Sequence, residues 1–213
     1  MASEFPRSHR ILIRRILAFL SRPFLRLILR YLPLDDPWER FKVQPALRHF
    51  GSGSRQEFEW YFEGESAVSV SSLDEIMDWL DGCEYASDSH LFQEPDFWQH
   101  PRTFEHLRQG DCEDFALWAW RKLIELGYEA DLVGGYCLPL SDQDCRHAWI
   151  VFRRDGTEYL FEPTMRDRTL AIQPLEAVRT QYLPEIGVGP DKRRFSFAGY
   201  LHVLKHREQL AAV

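Results

Sequence analysis

The sequence predicts an α+β fold in which one mostly buried helix packs on an antiparallel sheet, with a basic amphipathic helical extension ahead of it. Three observations predict it. Phe115, Ala116, Trp118, Trp120, Leu123, Ile124 and Leu126 put apolar groups around most of a helix that Gly127 stops. Strand-like runs follow at 130–138, 146–153 and 157–161, the last two joined by the hairpin signal Asp155-Gly156. Residues 10–31 instead repeat Leu12, Ile16, Phe19, Leu20, Phe24, Leu27, Ile28 and Tyr31 at helical spacing among arginines, punctuated by Ser21 and Pro23.

Length and composition bound the rest. A chain of 213 residues that is 45% hydrophobic buries one substantial core, so the expected organisation is an extension, 1–34, and one domain, 35–213. The formal net charge is −7, yet residues 1–30 carry seven arginines against Glu4, so the body is more acidic than the whole. That balance excludes a nucleic-acid role for the body. Arg22, Arg26 and Arg30 form a stripe, and residues 7–30 suit an anionic membrane surface or an acidic partner, unless their apolar face docks on the domain's own core. Arginines interrupt every apolar run there and no small-residue cleavage site follows, so neither a secretory signal nor a spanning helix is expected. The expected location is cytoplasmic, peripheral at the membrane. Four cysteines without CxxC spacing point to a reduced compartment; Cys137 and Cys145 flank a polar turn and could bridge only on export.

The elements follow in order. Asp35-Asp36-Pro37 ends the extension, and Gly51-Ser-Gly-Ser54 reads as a flexible connection. Ser72-Leu73-Asp74-Glu75 has capping-box form ahead of a short helix whose apolar face is Leu73, Ile76, Met77 and Leu80. Residues 82–110, with Phe92, Phe97, Trp98 and His100 among carboxylates, read as an irregular segment at a site's rim, its aromatics either gripping a peptide or serving as core. After Pro163 the pattern weakens to a helix over 171–182, a loop over 187–190, and a strand or closing helix over 195–204.

Chemistry concentrates on Gln109-Gly110-Asp111-Cys112-Glu113-Asp114. Asp111 is placed to cap the helix, with Asp114 at the acidic third position, which makes Cys112 the first helical residue. The helix N-terminus favours thiolate there. Carboxylates at 111, 113 and 114 oppose it, so either they only cap or Asp111 and Glu113 hold a hard divalent cation such as calcium. A two-residue turn at Asp155-Gly156 pairs Arg154 with Thr157 and, counting back, sets Trp149 opposite Glu162 and His147 opposite Thr164. His147 and Glu162 then share a sheet face, the relation a base and its orienter need beside a thiol nucleophile. Gln109 is a candidate oxyanion donor, after the backbone N–H of Cys112. A zinc site from Cys112, Cys137, Cys145 and His147 is the competing reading, but it lacks ordinary zinc-finger spacing and would silence the nucleophile.

Gly110-Asp-Cys-Glu-Asp-Phe-Ala116, the helix end at Leu126-Gly127, Gly134-Gly135-Tyr136, His147-Ala148-Trp149 and Phe161-Glu162-Pro163-Thr164 together resemble the transglutaminase-like superfamily, above all its bacterial cysteine peptidases, over about residues 98–165. The resemblance implies a papain-like core, Cys112 as nucleophile, His147 as base and Glu162 as orienter. Asp-Cys-Glu also resembles the calcium-binding pattern of the adhesin-cleaving periplasmic members, which implies Asp111 and Glu113 as ligands. The chain departs from the family in carrying Glu162 where aspartate is usual, and in lacking an export signal. The expected activity is thiol-dependent hydrolysis of an amide or peptide bond in a protein or peptide substrate, with no cofactor needed beyond the calcium considered above. The alternative is an inactive binding or scaffold protein tethered by its N-terminus.

Overall fold

The computed structural model describes residues 36–138 and 146–210, so the basic extension, Cys145 and the Cys137–Cys145 bridge lie outside the described residues. By compactness the chain divides into residues 36–200 and the remainder, and the first unit carries everything below. No helix among the described residues is long and apolar enough to cross a membrane. The helices are α1 Leu73–Asp81, α2 Asp88–Leu91, α3 Pro101–Leu107, α4 Cys112–Glu125, α5 Arg168–Ala171, α6 Leu175–Val178 and α7 Gly199–Leu210. The strands are β1 Arg40–Phe41, β2 Glu84–Tyr85, β3 Gln109–Gly110, β4 Ala130–Cys137, β5 Arg146–Arg154, β6 Thr157–Phe161, β7 Ile172–Pro174, β8 Tyr182–Val188 and β9 Arg194–Phe197.

Seven strands form one antiparallel sheet in the order β1-β9-β8-β4-β5-β6-β7, while β2 and β3 make a small parallel pair. The hairpin has the expected register, from Arg154 opposite Thr157 to Ile150 opposite Phe161. Alternation along β5 then sorts the core. Ala148, Ile150 and Phe152 face α4 and meet Phe115, Trp118 and Trp120; Trp149 and Val151 face the other way, against Trp38, Leu175 and Phe197. Burial on both faces is why β5 reads as a continuous apolar run. Helix α4 is buried from Glu113 to Leu123. Its two charged interior residues act as staples: Arg121 donates to the carbonyls of Tyr61 and Gly64, and Lys122 donates to Val68 O at 2.6 Å. These bonds hold the aromatic turn 60–62 against the helix that carries Cys112.

Gly135 sits opposite His147 at an irregularity between β4 and β8. A Cβ there would lie 2.2 Å from Leu183 O and 2.8 Å from the Trp149 ring, with backbone on one side and a buried indole on the other. Gly135→Ala is therefore expected to cost about 1–3 kcal/mol through overpacking. Urea unfolding checks this, and an unchanged midpoint would mean that the strands part more easily than their packing implies.

Several expectations are corrected. The helix expected over 171–182 is replaced by β7, α6, a 3₁₀ turn at Arg179–Gln181 and the start of β8. Pro184 and Gly187 concealed β8. Pro184 pairs with Gly135 where the ladder is already irregular, and Gly187 makes room for the Phe195 ring, 2.4 Å from where a Cβ would stand. Gly187 and Val188 accordingly belong to a strand and not to the expected loop. The stretch 195–204 supplies both a strand and a helix. Gly51-Ser-Gly-Ser54 is no slack connection: it wraps Asp96, whose carboxylate accepts the Gly53 N–H at 2.7 Å and whose carbonyl would stand 2.2 Å from a Cβ on Gly53. Of the expected capping box on α1, Ser72 Oγ accepts the Glu75 N–H at 3.2 Å, but the Glu75 carboxylate turns to the Ser71 N–H at 2.7 Å.

The segment 82–110 is ordered by α2, α3 and the parallel pair, with Trp98 and Phe104 buried as core. His100 caps α3: Nδ1 accepts the Arg102 N–H at 3.1 Å, so Nε2 carries the proton and donates to Trp60 O at 3.1 Å. Burial, seconded by Arg121 and Arg102, lowers its pKa. The native state thus takes up the proton less readily than the unfolded chain, and the stabilising cap is lost as pH falls below the ordinary histidine value of about 6.5. Relative to the native protein at each pH, His100→Asn, which can cap without titrating, is expected to gain Tm on going from pH 7 to pH 5. Parallel curves in differential scanning fluorimetry would contradict this.

Candidate active site

Cys112 opens α4 with Asp111 as N-cap, and the Asp111 N–H reaches Asp114 Oδ2 at 3.4 Å to close a capping box. Gly110 is required here: a Cβ would lie 2.4 Å from Asp114 Oδ2 and 2.9 Å from Gln99 Nε2. The half-buried Cys112 thiol donates to Glu113 Oε2 at 3.2 Å. Burial, then the charges of Glu113 and Asp111, push the thiol well above its ordinary pKa. The Ala148 N–H pulls it down, and more weakly. Burial first, and then the acidic neighbours, oppose the thiolate that the helix N-terminus favours.

Pairing between β5 and β6 stops at Ile150 and Phe161, and Ala148, whose N–H favours the thiolate, lies beyond that point. His147 precedes it on the strand face shared with Trp149, whose ring centroid is 6.2 Å away. His147 Nε2 is 2.6 Å from Glu162 Oε2, so a side chain reaches across the end of the hairpin as the register requires. With Nε2–H donated to the carboxylate, Nδ1 is the nitrogen left for proton transfer.

Glu162 is 3% exposed, and Glu162-Pro163-Thr164-Met165 forms a β-turn in which the Met165 N–H donates to Glu162 O at 3.1 Å. Pro163 sits at the second position, which suits its fixed φ. The turn brings the Thr164 hydroxyl back onto Glu162 Oε1 at 2.7 Å.

Behind the thiol the acids form a larger cluster than the sequence suggested. Asp88, Asp96, Asp111, Glu113 and Asp114 offer overlapping sets of oxygens, Asp88 with Asp111 and Asp114 and Asp88 with Asp96 and Glu113, each set within 4.8 Å. Asp88, Glu113 and Asp114 are buried. Burial pushes Asp88 up to about 6 and, with the neighbouring carboxylates, raises Glu113 and Asp114 well above the usual carboxylate range. Gln99 holds Asp114 through its backbone N–H at 2.8 Å and its side-chain amide at 2.5 Å. Among the described residues, Asp88 Oδ1, Asp111 Oδ1, Gln99 Oε1 and the Tyr61 hydroxyl are buried without a hydrogen-bond partner. A cluster of carboxylate oxygens with orphaned acceptors fits a hard cation.

The structure thus brings His147 to Glu162, and Cys112 to Asp111 and Glu113. It places Gln109 differently: its side-chain amide donates to Glu84 Oε2 at 2.8 Å on the exposed parallel pair, and its carbonyl accepts from Gln99. Of the zinc set weighed from sequence, Cys145 lies outside the described residues, and among the described ones Cys112 and Cys137 are free thiols that no metal set joins to each other or to His147. Sequence reading missed Asp88, Asp96 and Gln99, which have no local pattern linking them to Cys112, and Thr164, whose signal was the Pro163 turn.

No family model matches the sequence, and no curated protein sequence matches it. Among solved structures the chain is similar to Legionella pneumophila LapG, at 19% identity over 59% of this chain and 65% of that one, with a TM-score of 0.44. For the calcium-bound form of LapG the values are 17% identity, 68% and 77%, and 0.43. For the EGTA-treated form they are 19%, 54% and 60%, and 0.42, so the chain spans less than two thirds of that structure. The chain resembles transglutaminase-like cysteine peptidases in the order and local sequence of its Cys, His and acid blocks.

Proposed function

We propose that this protein is a thiol-dependent acyl-transfer enzyme, a cysteine peptidase or amidase that hydrolyses an amide bond through a thioester on Cys112. The 2.6 Å contact between His147 Nε2 on β5 and Glu162 Oε2 just past the end of β6 carries the reading, with Cys112 at the start of the buried helix as the nucleophile. His147 Nδ1 takes the thiol proton as sulfur attacks the carbonyl carbon, then delivers it to the leaving amine; water, deprotonated by the same imidazole, releases the acid and restores the thiol. Glu162 holds the tautomer and stabilises the imidazolium.

Asp111 and Glu113, with Asp88, Asp96 and Asp114 beside them, would hold the calcium that the cluster's chemistry suits. When bound it supplies positive charge next to the sulfur. Asp111 and Glu113 then cease to oppose thiolate, and the cluster gives up the protons that its raised pKa values retain.

The test is the rate of Cys112 alkylation by iodoacetamide across pH with calcium present. The native protein is expected to become half-maximally reactive well below the free-thiol value of about 8.5, and His147→Ala is expected to abolish that low-pH reactivity. An ordinary thiol profile that His147→Ala leaves untouched would end the proposal.

A further inference from the structure

Glutamate is an awkward orienter, because three rotatable bonds separate its carboxylate from the backbone and each must be fixed before the imidazole is. Here both oxygens are engaged. Oε2 meets His147 at 2.6 Å, and Oε1 accepts the Thr164 hydroxyl at 2.7 Å and the Thr164 N–H at 3.4 Å. From β8 Tyr182 approaches Glu162: burial first, and the Glu162 charge second, raise the pKa of its hydroxyl. The Tyr182 ring packs on Trp149 at 5.0 Å, and Trp149 lies 6.2 Å from His147, so one aromatic surface backs both members of the pair. Tyr182 enters β8 opposite Cys137 on β4, two residues beyond the Gly135 that faces His147.

We infer that Thr164 and Tyr182 are positioning residues that clamp Glu162 from two sides and thereby set the tautomer of His147, an inference that rests on the proposed function above. The two clamps differ in origin. Thr164 arrives through a local turn two residues on, whereas Tyr182 comes from a strand twenty residues away, so the orienter ties the hairpin to the far side of the sheet. Without them the carboxylate can rotate, the proton can settle on Nδ1, and the imidazole then has no lone pair for the thiol. Substrate contact is not part of the role.

The experiment measures iodoacetamide alkylation of Cys112 across pH in the full-length, calcium-loaded protein for native, Thr164→Val, Thr164→Ser, Tyr182→Phe and Thr164→Val/Tyr182→Phe, with Tm alongside. Thr164→Val and Tyr182→Phe keep shape and ring packing but lose the hydroxyl. Each is expected to lower the neutral-pH rate about tenfold and move the profile toward that of a free thiol, since a hydrogen bond to a charged group is worth about that factor. The double variant should fall further, and Thr164→Ser should restore the native profile. Native-like profiles in folded Thr164→Val, Tyr182→Phe and the double variant would overturn the clamp while leaving the dyad standing. If the native protein itself shows a free-thiol profile indifferent to His147→Ala, the proposed function fails instead. A variant that loses Tm but keeps its profile also counts against the clamp, because it shows a structural role alone.

Discussion

His147→Ala is expected to lower kcat for amide hydrolysis by about 10²–10⁴-fold with little change in KM, the range that a positioned general base contributes. The geometry says why the loss falls on kcat. His147 touches Glu162 through one nitrogen, and in the proposed mechanism the other only moves a proton. Glu162→Gln should approach the same loss while leaving the ring in place, because a carboxamide can present its NH₂ to Nε2 and reverse the tautomer. Cys112→Ala removes the covalent step altogether. Initial rates on a cleaved peptide check all three, and a Glu162→Gln enzyme with native kcat would show that the carboxylate only packs.

Calcium is expected to raise Tm at pH 7 by about 5–10 °C once it is near a hundredfold over its Kd, from mass-action stabilisation of about 2.7 kcal/mol spread over a domain of this size. The pH dependence has a definite sign. Asp88 titrates at about 6 in the fold against an ordinary 3.8, so between those values the native state binds more protons than the unfolded chain. Stability of the calcium-free protein is therefore fullest below the lower value and is lost as pH rises through the upper one. Calcium-free Tm should fall from pH 4 to pH 7, and the calcium increment should grow over the same range. Asp88→Asn with Asp96→Asn should raise the calcium-free Tm and shrink the increment. A Tm that neither calcium nor chelator moves would leave the acids as capping and packing groups, with Cys112 still facing their charge.

How much of this was written in the sequence depends on distance along the chain. Helix α4 and the Asp155-Gly156 hairpin were legible because apolar spacing and turn chemistry are local, and the register they impose was enough to bring His147 to Glu162. Strand β8 was not, since Pro184 and Gly187 read as breakers until the irregular ladder at Gly135 and the Phe195 ring explain them. Asp111 and Glu113 stood out beside Cys112, while Asp88, at the start of α2, and Asp96, in the loop after it, reach the same cluster with no periodicity connecting them. Gln109 looked suited to an oxyanion donor by adjacency alone. The parallel pairing of β2 and β3 turns its amide onto Glu84, and the neighbouring buried amide belongs to Gln99. The thiol showed the same conflict. Helix position favoured thiolate, and burial among carboxylates opposed it.

The most direct measurement of the central claim is mass-spectrometric profiling of new N-termini in a proteome incubated with the calcium-loaded native protein or with Cys112→Ala. A thiol peptidase should generate a recurrent set of cleavage sites with the native protein, absent with Cys112→Ala and suppressed by prior alkylation of Cys112. Identical profiles from the two proteins, with Cys112 shown to be reduced and calcium present, would contradict peptide hydrolysis at this site.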